Sequence, residues 1–255
     1  MHSGTTTSEA KLRNAKMKVY RGEGKDGTFK SYTVPVEAGM VVLDAIHYIQ
    51  REIDPDLAVR WNCKAAKCGS CSAEVNGRPS LMCKTRMEGF AEDQEIEVQP
   101  LQTFPIIRDL VCDVSWNFEQ NKRIKPFTPK PDADWTIYQE DIERVQEFRK
   151  CIECFLCQNV CHILRENDRK DAFVGPRFMI RVAGLEMHPL DSADRLPWLH
   201  EEGGVGMCNI TKCCTEVCPE DIHITDNGII PMKERIVDEY YDPIAKFLKR
   251  VFVRK

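Results

Sequence analysis

Thirteen cysteines stand in this chain of 255 residues, and twelve of them fall into three groups. Cys63, Cys68, Cys71 and Cys83 form the first, Cys151, Cys154, Cys157 and Cys161 the second, and Cys208, Cys213, Cys214 and Cys218 the third. The opening residues, MHSGTTTSEAKLRNAK, are polar and lack the apolar stretch of a secretory signal, so a reducing compartment that disfavours disulfides is expected. Thiolates are soft metal ligands, and clustered thiols in such a setting point to metal. Cys112 stands alone in the apolar stretch DLVCDV and is expected to be a small buried hydrophobe.

The spacings narrow the metal. The first group reads C-x4-C-x2-C-x11-C, the plant-type 2Fe-2S template of three close cysteines and a distant fourth. Ala65, Ala66, Gly69 and Ser70 are small enough to let backbone N–H groups approach the sulfur atoms, and such donors help set a cluster's potential. A four-cysteine zinc site is the other use of such a set, but it favours paired C-x2-C knuckles, and here only Cys68 and Cys71 are so spaced. The second group, CIECFLCQNVC, is the bacterial ferredoxin run C-x2-C-x2-C-x3-C, in which the fourth cysteine serves the other cluster. The third group carries the same template with Thr211 in place of one cysteine and ends in Cys218-Pro219. By the crossed rule Cys151, Cys154, Cys157 and Cys218 hold a 4Fe-4S cluster, while Cys161, Cys208 and Cys214 hold another. Three thiolates without a fourth fit a 3Fe-4S cluster. Cys213, one residue from Cys214, is expected to point elsewhere, into a buried place or against the ligands.

The elements that must carry these groups divide around residues 119–135, where EQNKRIKPFTPKPDADW sets three prolines among few apolar side chains and reads as a linker. Before it, 16–21 and 28–36 are expected as strands around a Gly-rich turn, and Val42, Ala45, Ile46, Ile49 and Ile53 recur at helical spacing. Residues 72–75, the Asn76-Gly77 turn and residues 95–98 supply further strands. After the linker Tyr138, Ile142, Val145, Phe148 and Ile152 predict a helix running into the second cysteine group, with Thr136 and Gln139 as a capping box. Pro176 and Pro231 stand where first helical turns begin. The expectation is an α+β chain with a domain over 1–118, the linker over 119–135 and a helical domain over 136–255.

The formal net charge of −4 supplies no basic footprint for nucleic acid, which is not expected as a partner. No apolar run reaches the roughly 18 residues needed to cross a bilayer. At the C-terminus, 244–255 interleaves Lys246, Lys249, Arg250, Arg254 and Lys255 with Phe247, Leu248, Val251 and Phe252, as in a basic amphipathic helix or an ordinary solvated helix end. His47, His188, His200 and His223 have no ligand spacing among themselves and are expected to pack or face solvent. No catalytic acid, base or nucleophile is identified.

The order of a plant-type 2Fe-2S loop, a ferredoxin run and a C-x5-C-x3-C-P group, with the stretches CGSC, NGRPSLMC, CIECFLC and CCTEVCP, resembles the iron-sulfur subunit of succinate dehydrogenase and fumarate reductase over nearly the whole chain. The resemblance implies an N-terminal beta-grasp 2Fe-2S ferredoxin-like domain followed by an all-helical ferredoxin-like domain. It implies a flavoprotein partner that oxidises succinate at FAD, with electrons passed singly through the three clusters to quinone at a membrane-anchor subunit. It also implies a peripheral position, expected on the cytoplasmic face of the cell membrane. Fumarate reductase, the same relay in reverse, is the near alternative, and a non-redox zinc scaffold the distant one. Many members carry a His after the first cysteine of the third group and a Trp after the fourth of the second; here Asn209 and the run HILREND occupy those places. His162, Ile163, Asn209 and Ile210 are therefore candidates for the quinone edge, the alternative being simple packing.

Overall fold

The computed structural model describes residues 13–244 and 246, which form two compact units. The first comprises the residues up to 101 together with 105–112, and the second comprises 102–104 and the residues from 113 onward.

In the first unit, strands β1 (Arg13–Arg21) and β2 (Thr28–Val36) pair antiparallel along their whole length. Helix α1 (Val42–Tyr48) follows and continues as a wider, π-type turn over Ile49–Ile53. Strands β3 (Ser72–Val75) and β4 (Arg78–Leu81) form a hairpin, and β5 (Ile96–Gln99) runs parallel to β1 and antiparallel to β3. The sheet order is β2-β1-β5-β3-β4, and with its helix this is the expected beta-grasp arrangement. Alternation decides which face is buried. Met17 and Val19 of β1, Val34 of β2 and Val98 of β5 are fully buried, as are Val42, Ala45, Ile46 and Ile49 of the helical segment. Each large aliphatic side chain so placed contributes about 1.5–3 kcal/mol. The Asn76-Gly77 turn takes positive φ at both residues (49° and 75°), as a tight two-residue hairpin requires. A short hairpin, β6 (Ile106–Arg108) and β7 (Val111–Cys112), completes the unit, and Cys112 is buried as expected.

The second unit is helical: α2 (Ser115–Arg123), α3 (Gln139–Val145), α4 (Leu156–Val160), α5 (His162–Arg165), α6 (Pro176–Glu186), α7 (Leu196–Glu201), α8 (Cys213–Glu216) and α9 (Ile230–Tyr240). Mixed α+β architecture follows from the two units together. Leu164, Phe173, Phe178, Met179, Ile180, Val182, Leu199, Ile224, Ile229 and Met232 make its core, joined by Cys157 and Cys214.

Two expectations are corrected here. The stretch 119–135 is not a linker between the units: its first residues lie in α2, and the rest is held within the second unit. The buried Arg195 donates from Nε to the Lys125 carbonyl (2.9 Å) and from Nη2 to the Pro126 carbonyl (2.8 Å). Backbone bonds from Lys130 N to Leu190 O (2.9 Å) and from Ser192 N to Thr128 O (2.8 Å) continue the attachment. The capping box at Thr136 does not form, because the helix begins at Gln139 with Tyr138 as its N-cap; Thr136 lies outside it, its hydroxyl donating to Asp134 (2.9 Å), and Gln139 Nε2 donates to Glu143 (3.0 Å). The helix that starts there runs as α3 and then tightens to 3-10 geometry over Gln146–Lys150, ending just before Cys151. Of the basic tail, 245 and 247–255 lie outside the described residues.

Candidate metal centres

The first cysteine group sits on the loop between α1 and β3, with Cys83 following β4. Lys64, Ala66 and Gly69 adopt left-handed conformations (φ 54°, 55° and 69°), which turn successive N–H groups toward the sulfurs. Ala65 N and Lys67 N reach Cys63 Sγ at 3.3 and 3.4 Å, and Ser70 N reaches Cys68 Sγ at 3.5 Å. Burial alone would raise the Cys68 thiol, but hydrogen bonds from Ser70 and Cys63 outweigh it and hold the thiol at about 7. Cys71 is pushed up to about 12, chiefly by burial, and hydrogen-bonds to Cys83. The thiols thus come in two touching pairs, Cys63 with Cys68 and Cys71 with Cys83.

In the second unit, neighbouring short helices α4 and α8 interleave the remaining groups. Cys151, Cys154, Cys157 and Cys218 line one small cavity, walled by Ile152, Phe155, Ile180, Ile222 and Ile224. Cys161, Cys208 and Cys214 line a second small cavity with Thr211 and Cys213. Cys218 is thus gathered with the second group and Cys161 with the third. Positive φ at Glu153 and Phe155 around the first cavity, and at Ile210 and Lys212 around the second, repeats the inward-turning loop geometry. Backbone donors reach Cys151 from Glu153, Cys154 from Leu156, and Cys161 from Leu164 and Ile163.

Burial raises these metal-free thiols: Cys154 to about 12, Cys161 and Cys214 to about 11, Cys157 well above its ordinary value, and Cys151 upward with partial relief from Arg177. A buried thiol is stable neutral, and a metal centre must displace its proton to bind. Among the described residues no three His, Cys, Asp or Glu side chains converge tightly enough for a single metal ion. Thiols spread around a cavity, with N–H donors aimed at the sulfur, are the donor set an iron-sulfur cluster needs.

Residues 16–119 match the family of 2Fe-2S iron-sulfur cluster binding domains, and residues 147–222 match that of 4Fe-4S dicluster domains. The fumarate reductase iron-sulfur subunit of Haemophilus influenzae is 33% identical over 210 residues, spanning 75% of this chain and 80% of that protein. The chain belongs to the succinate dehydrogenase and fumarate reductase iron-sulfur subunit family. The fumarate reductase iron-sulfur subunit of Escherichia coli O6:H1 is 32% identical over 223 residues, 84% of this chain and 89% of that one. A chain of the solved Mycobacterium smegmatis Sdh1 complex in the apo form superposes with a TM-score of 0.89 at 59% identity, covering 91% of this chain and 99% of that one.

At the rim of the second cavity this family member brings two of its quinone-edge candidates together. His162 Nε2 lies 3.0 Å from Asn209 Oδ1, and Thr211 Oγ1 is 3.4 Å from the same ring nitrogen. Ile163 is buried beneath them, while Ile210 is exposed on the loop outside. Cys213 takes the second of the two places expected for it, against the other thiols. It lines the cavity, with Thr211 Oγ1 3.4 Å from its sulfur and the Val160 carbonyl accepting at 3.5 Å. The left-handed Lys212 (φ 64°) folds the loop back before α8 and turns residues 211 and 213 toward each other. Sequence reasoning also passed over Arg177 and Gln158. Gln158 is fully buried, and its Oε1 accepts from Arg177 N (3.2 Å) while its Nε2 donates to Val174 O (3.0 Å). Gly175 (φ 91°) makes room, since a Cβ there would stand 2.1 Å from Gln158 Oε1. The signal was present in GPR: a residue able to take positive φ, a proline for the first turn, then a cation on a face that must be buried.

Proposed function

We propose that this chain is the electron-relay subunit of a succinate:quinone oxidoreductase. In this reading Cys63, Cys68, Cys71 and Cys83 hold a 2Fe-2S cluster, each touching pair serving one iron. Cys151, Cys154, Cys157 and Cys218 hold a 4Fe-4S cluster, and Cys161, Cys208 and Cys214 a 3Fe-4S cluster. When bound, the clusters supply one-electron carriers, which is what divides a two-electron flavin reduction into single transfers. The chain's own part is to bury them, aim N–H groups at their sulfurs and keep water out. Its partners are an FAD-containing flavoprotein subunit that oxidises succinate and a membrane-anchor subunit at which quinone is reduced. His162, Ile163, Asn209 and Ile210 line the quinone edge, and the chain lies on the cytoplasmic face of the membrane.

The observation that carries the reading is the crossed gathering of thiols, with Cys218 beside Cys151, Cys154 and Cys157, and Cys161 beside Cys208 and Cys214. That is the ferredoxin pattern for two adjacent clusters. A zinc scaffold would want four thiols closing on one ion, and cavities of this kind favour the cluster instead. The 59% likeness to a chain of the Sdh1 complex favours succinate oxidation; the relatives named fumarate reductase carry the second reading, the same relay driven in reverse. Anaerobically purified protein is expected to contain about nine irons per chain and no zinc. Cys218→Ser is expected to remove the four-iron centre, and Cys214→Ser the three-iron centre, each seen by electron paramagnetic resonance (EPR). About four irons in the wild type, or loss of the three-iron signal on replacing Cys218 alone, would overturn the assignment.

A further inference from the structure

Arg177 stands in the first turn of α6, set there by the Gly175 bend, Pro176 and the Gln158 amide. Its side chain is 7% exposed, yet it lines the cavity of Cys151, Cys154, Cys157 and Cys218. Among the described residues it is the one basic side chain that does so. One end of the guanidinium is satisfied, because Nη2 donates to Glu153 Oε1, on the loop between Cys151 and Cys154. Nε is buried without a partner. A buried N–H left unpaired is costly, and a cation in an apolar enclosure more so, unless something in that enclosure accepts from it. The cavity is lined by the four thiols, by apolar side chains and by Glu220, which is engaged in interactions of its own.

We infer that Arg177 is a potential-setting residue: its guanidinium faces the negatively charged group this cavity holds, with Nε donating to a sulfur, and raises that group's midpoint potential. The inference rests on the proposed ligand set for the four-iron cluster. Reduction adds one electron and therefore one negative charge to a group enclosed in low dielectric, which by itself disfavours the reduced form. A fixed cation and a charge-assisted hydrogen bond both favour the more negative state. Glu153 acts in the opposite sense: it neutralises part of the Arg177 charge and adds its own beside the ligand loop, though its 46% exposure weakens it by solvent screening.

The test is a redox titration of the reduced four-iron signal by EPR on the assembled complex. Arg177→Gln is expected to lower the midpoint by about 59 mV, a tenfold change in the reduced-to-oxidised ratio at fixed potential. Arg177→Lys should fall between, keeping charge without the planar fork, and Glu153→Gln should shift upward. The two other centres should keep their midpoints. Opposite signs for Arg177→Gln and Glu153→Gln are not what a packing role would give. Unmoved midpoints in both variants would overturn the inference while leaving the ligand set intact. If Arg177→Gln fails to retain its cluster, wild-type midpoints in Arg177→Lys and Glu153→Gln would overturn it equally. Absence of any reduced four-iron signal in the wild type would overturn the ligand set and this inference with it.

Discussion

Replacing Arg195 by methionine should shorten the life of the cluster-loaded protein in urea about a hundredfold, by the ion-pair reasoning that follows. The Arg195 side chain is 1% exposed. Besides the Lys125 and Pro126 carbonyls it donates to Ala193 O (3.1 Å) and Asp191 Oδ2 (2.8 Å), and Glu186 stands 3.7 Å away. Methionine fills the stem of this space and supplies no donor, so the Asp191 carboxylate, 2% exposed, would be stranded. Breaking a buried pair from one side costs about 3–5 kcal/mol. The lower end applies, because Asp191 Oδ1 keeps bonds from Ala193 N (2.9 Å) and Thr128 N (3.2 Å). Unfolding that sheds clusters is irreversible, so the penalty is read as a rate, and a contact absent from the transition state delivers its whole cost there. About 3 kcal/mol is then roughly two decades in rate. The assay is the loss of visible absorbance at fixed urea under anaerobic conditions. Adding Asp191→Asn to Arg195→Met should recover most of the lifetime, since it removes the stranded charge. A single variant bleaching within about threefold of wild type, or a double variant no slower than the single, would refute the reasoning.

Thr211→Cys is expected to add about one iron at the cavity of Cys161, Cys208 and Cys214 and to abolish the oxidised three-iron EPR signal, because it fills the vacant place in the ferredoxin template. A wild type that lacks this signal would show that Cys213, which lines the same cavity, already completes a four-iron centre. Native alkylation followed by mass spectrometry should label half-buried Cys213 in the loaded protein, and protection of Cys213 would mark it as a ligand. Cys112 should resist labelling at pH 8, because burial pushes its thiol up to about 11. Since this folded value lies above the unfolded one of about 8.5, its contribution to stability is complete below that pH and is lost as pH rises through about 11; fast labelling at pH 8 would contradict it.

Much of the thiol arrangement was legible in the sequence because its information is local. Cysteines five or three residues apart on one loop can wrap one group whatever lies beyond, so Cys63, Cys68 and Cys71, and Cys151, Cys154 and Cys157, form sets by spacing alone. Alternation in β1, β2 and β5, and the Asn76-Gly77 turn, are local in the same sense: steric preference and burial of one face fix them within a few residues. What only the tertiary structure decided lies where distant groups compete for the same partner. Three prolines made 119–135 look unattached, but Arg195, about seventy residues on, takes its carbonyls into the second unit, because a buried guanidinium must find acceptors. Which of its two expected places Cys213 takes, against the other thiols, is decided by Lys212, which reverses the loop in a backbone state no spacing rule registers. Thr136 has no capping role because the helix begins at Gln139 with Tyr138 as its N-cap, a start set two residues beyond it. Arg177 meets the cavity of Cys151, Cys154, Cys157 and Cys218 because Gly175 and the Gln158 amide, itself nineteen residues before Arg177, aim the first turn of α6 at it. Ligand type and spacing are written in the chain; which buried charges and donors surround the ligands is set by packing between segments far apart in sequence.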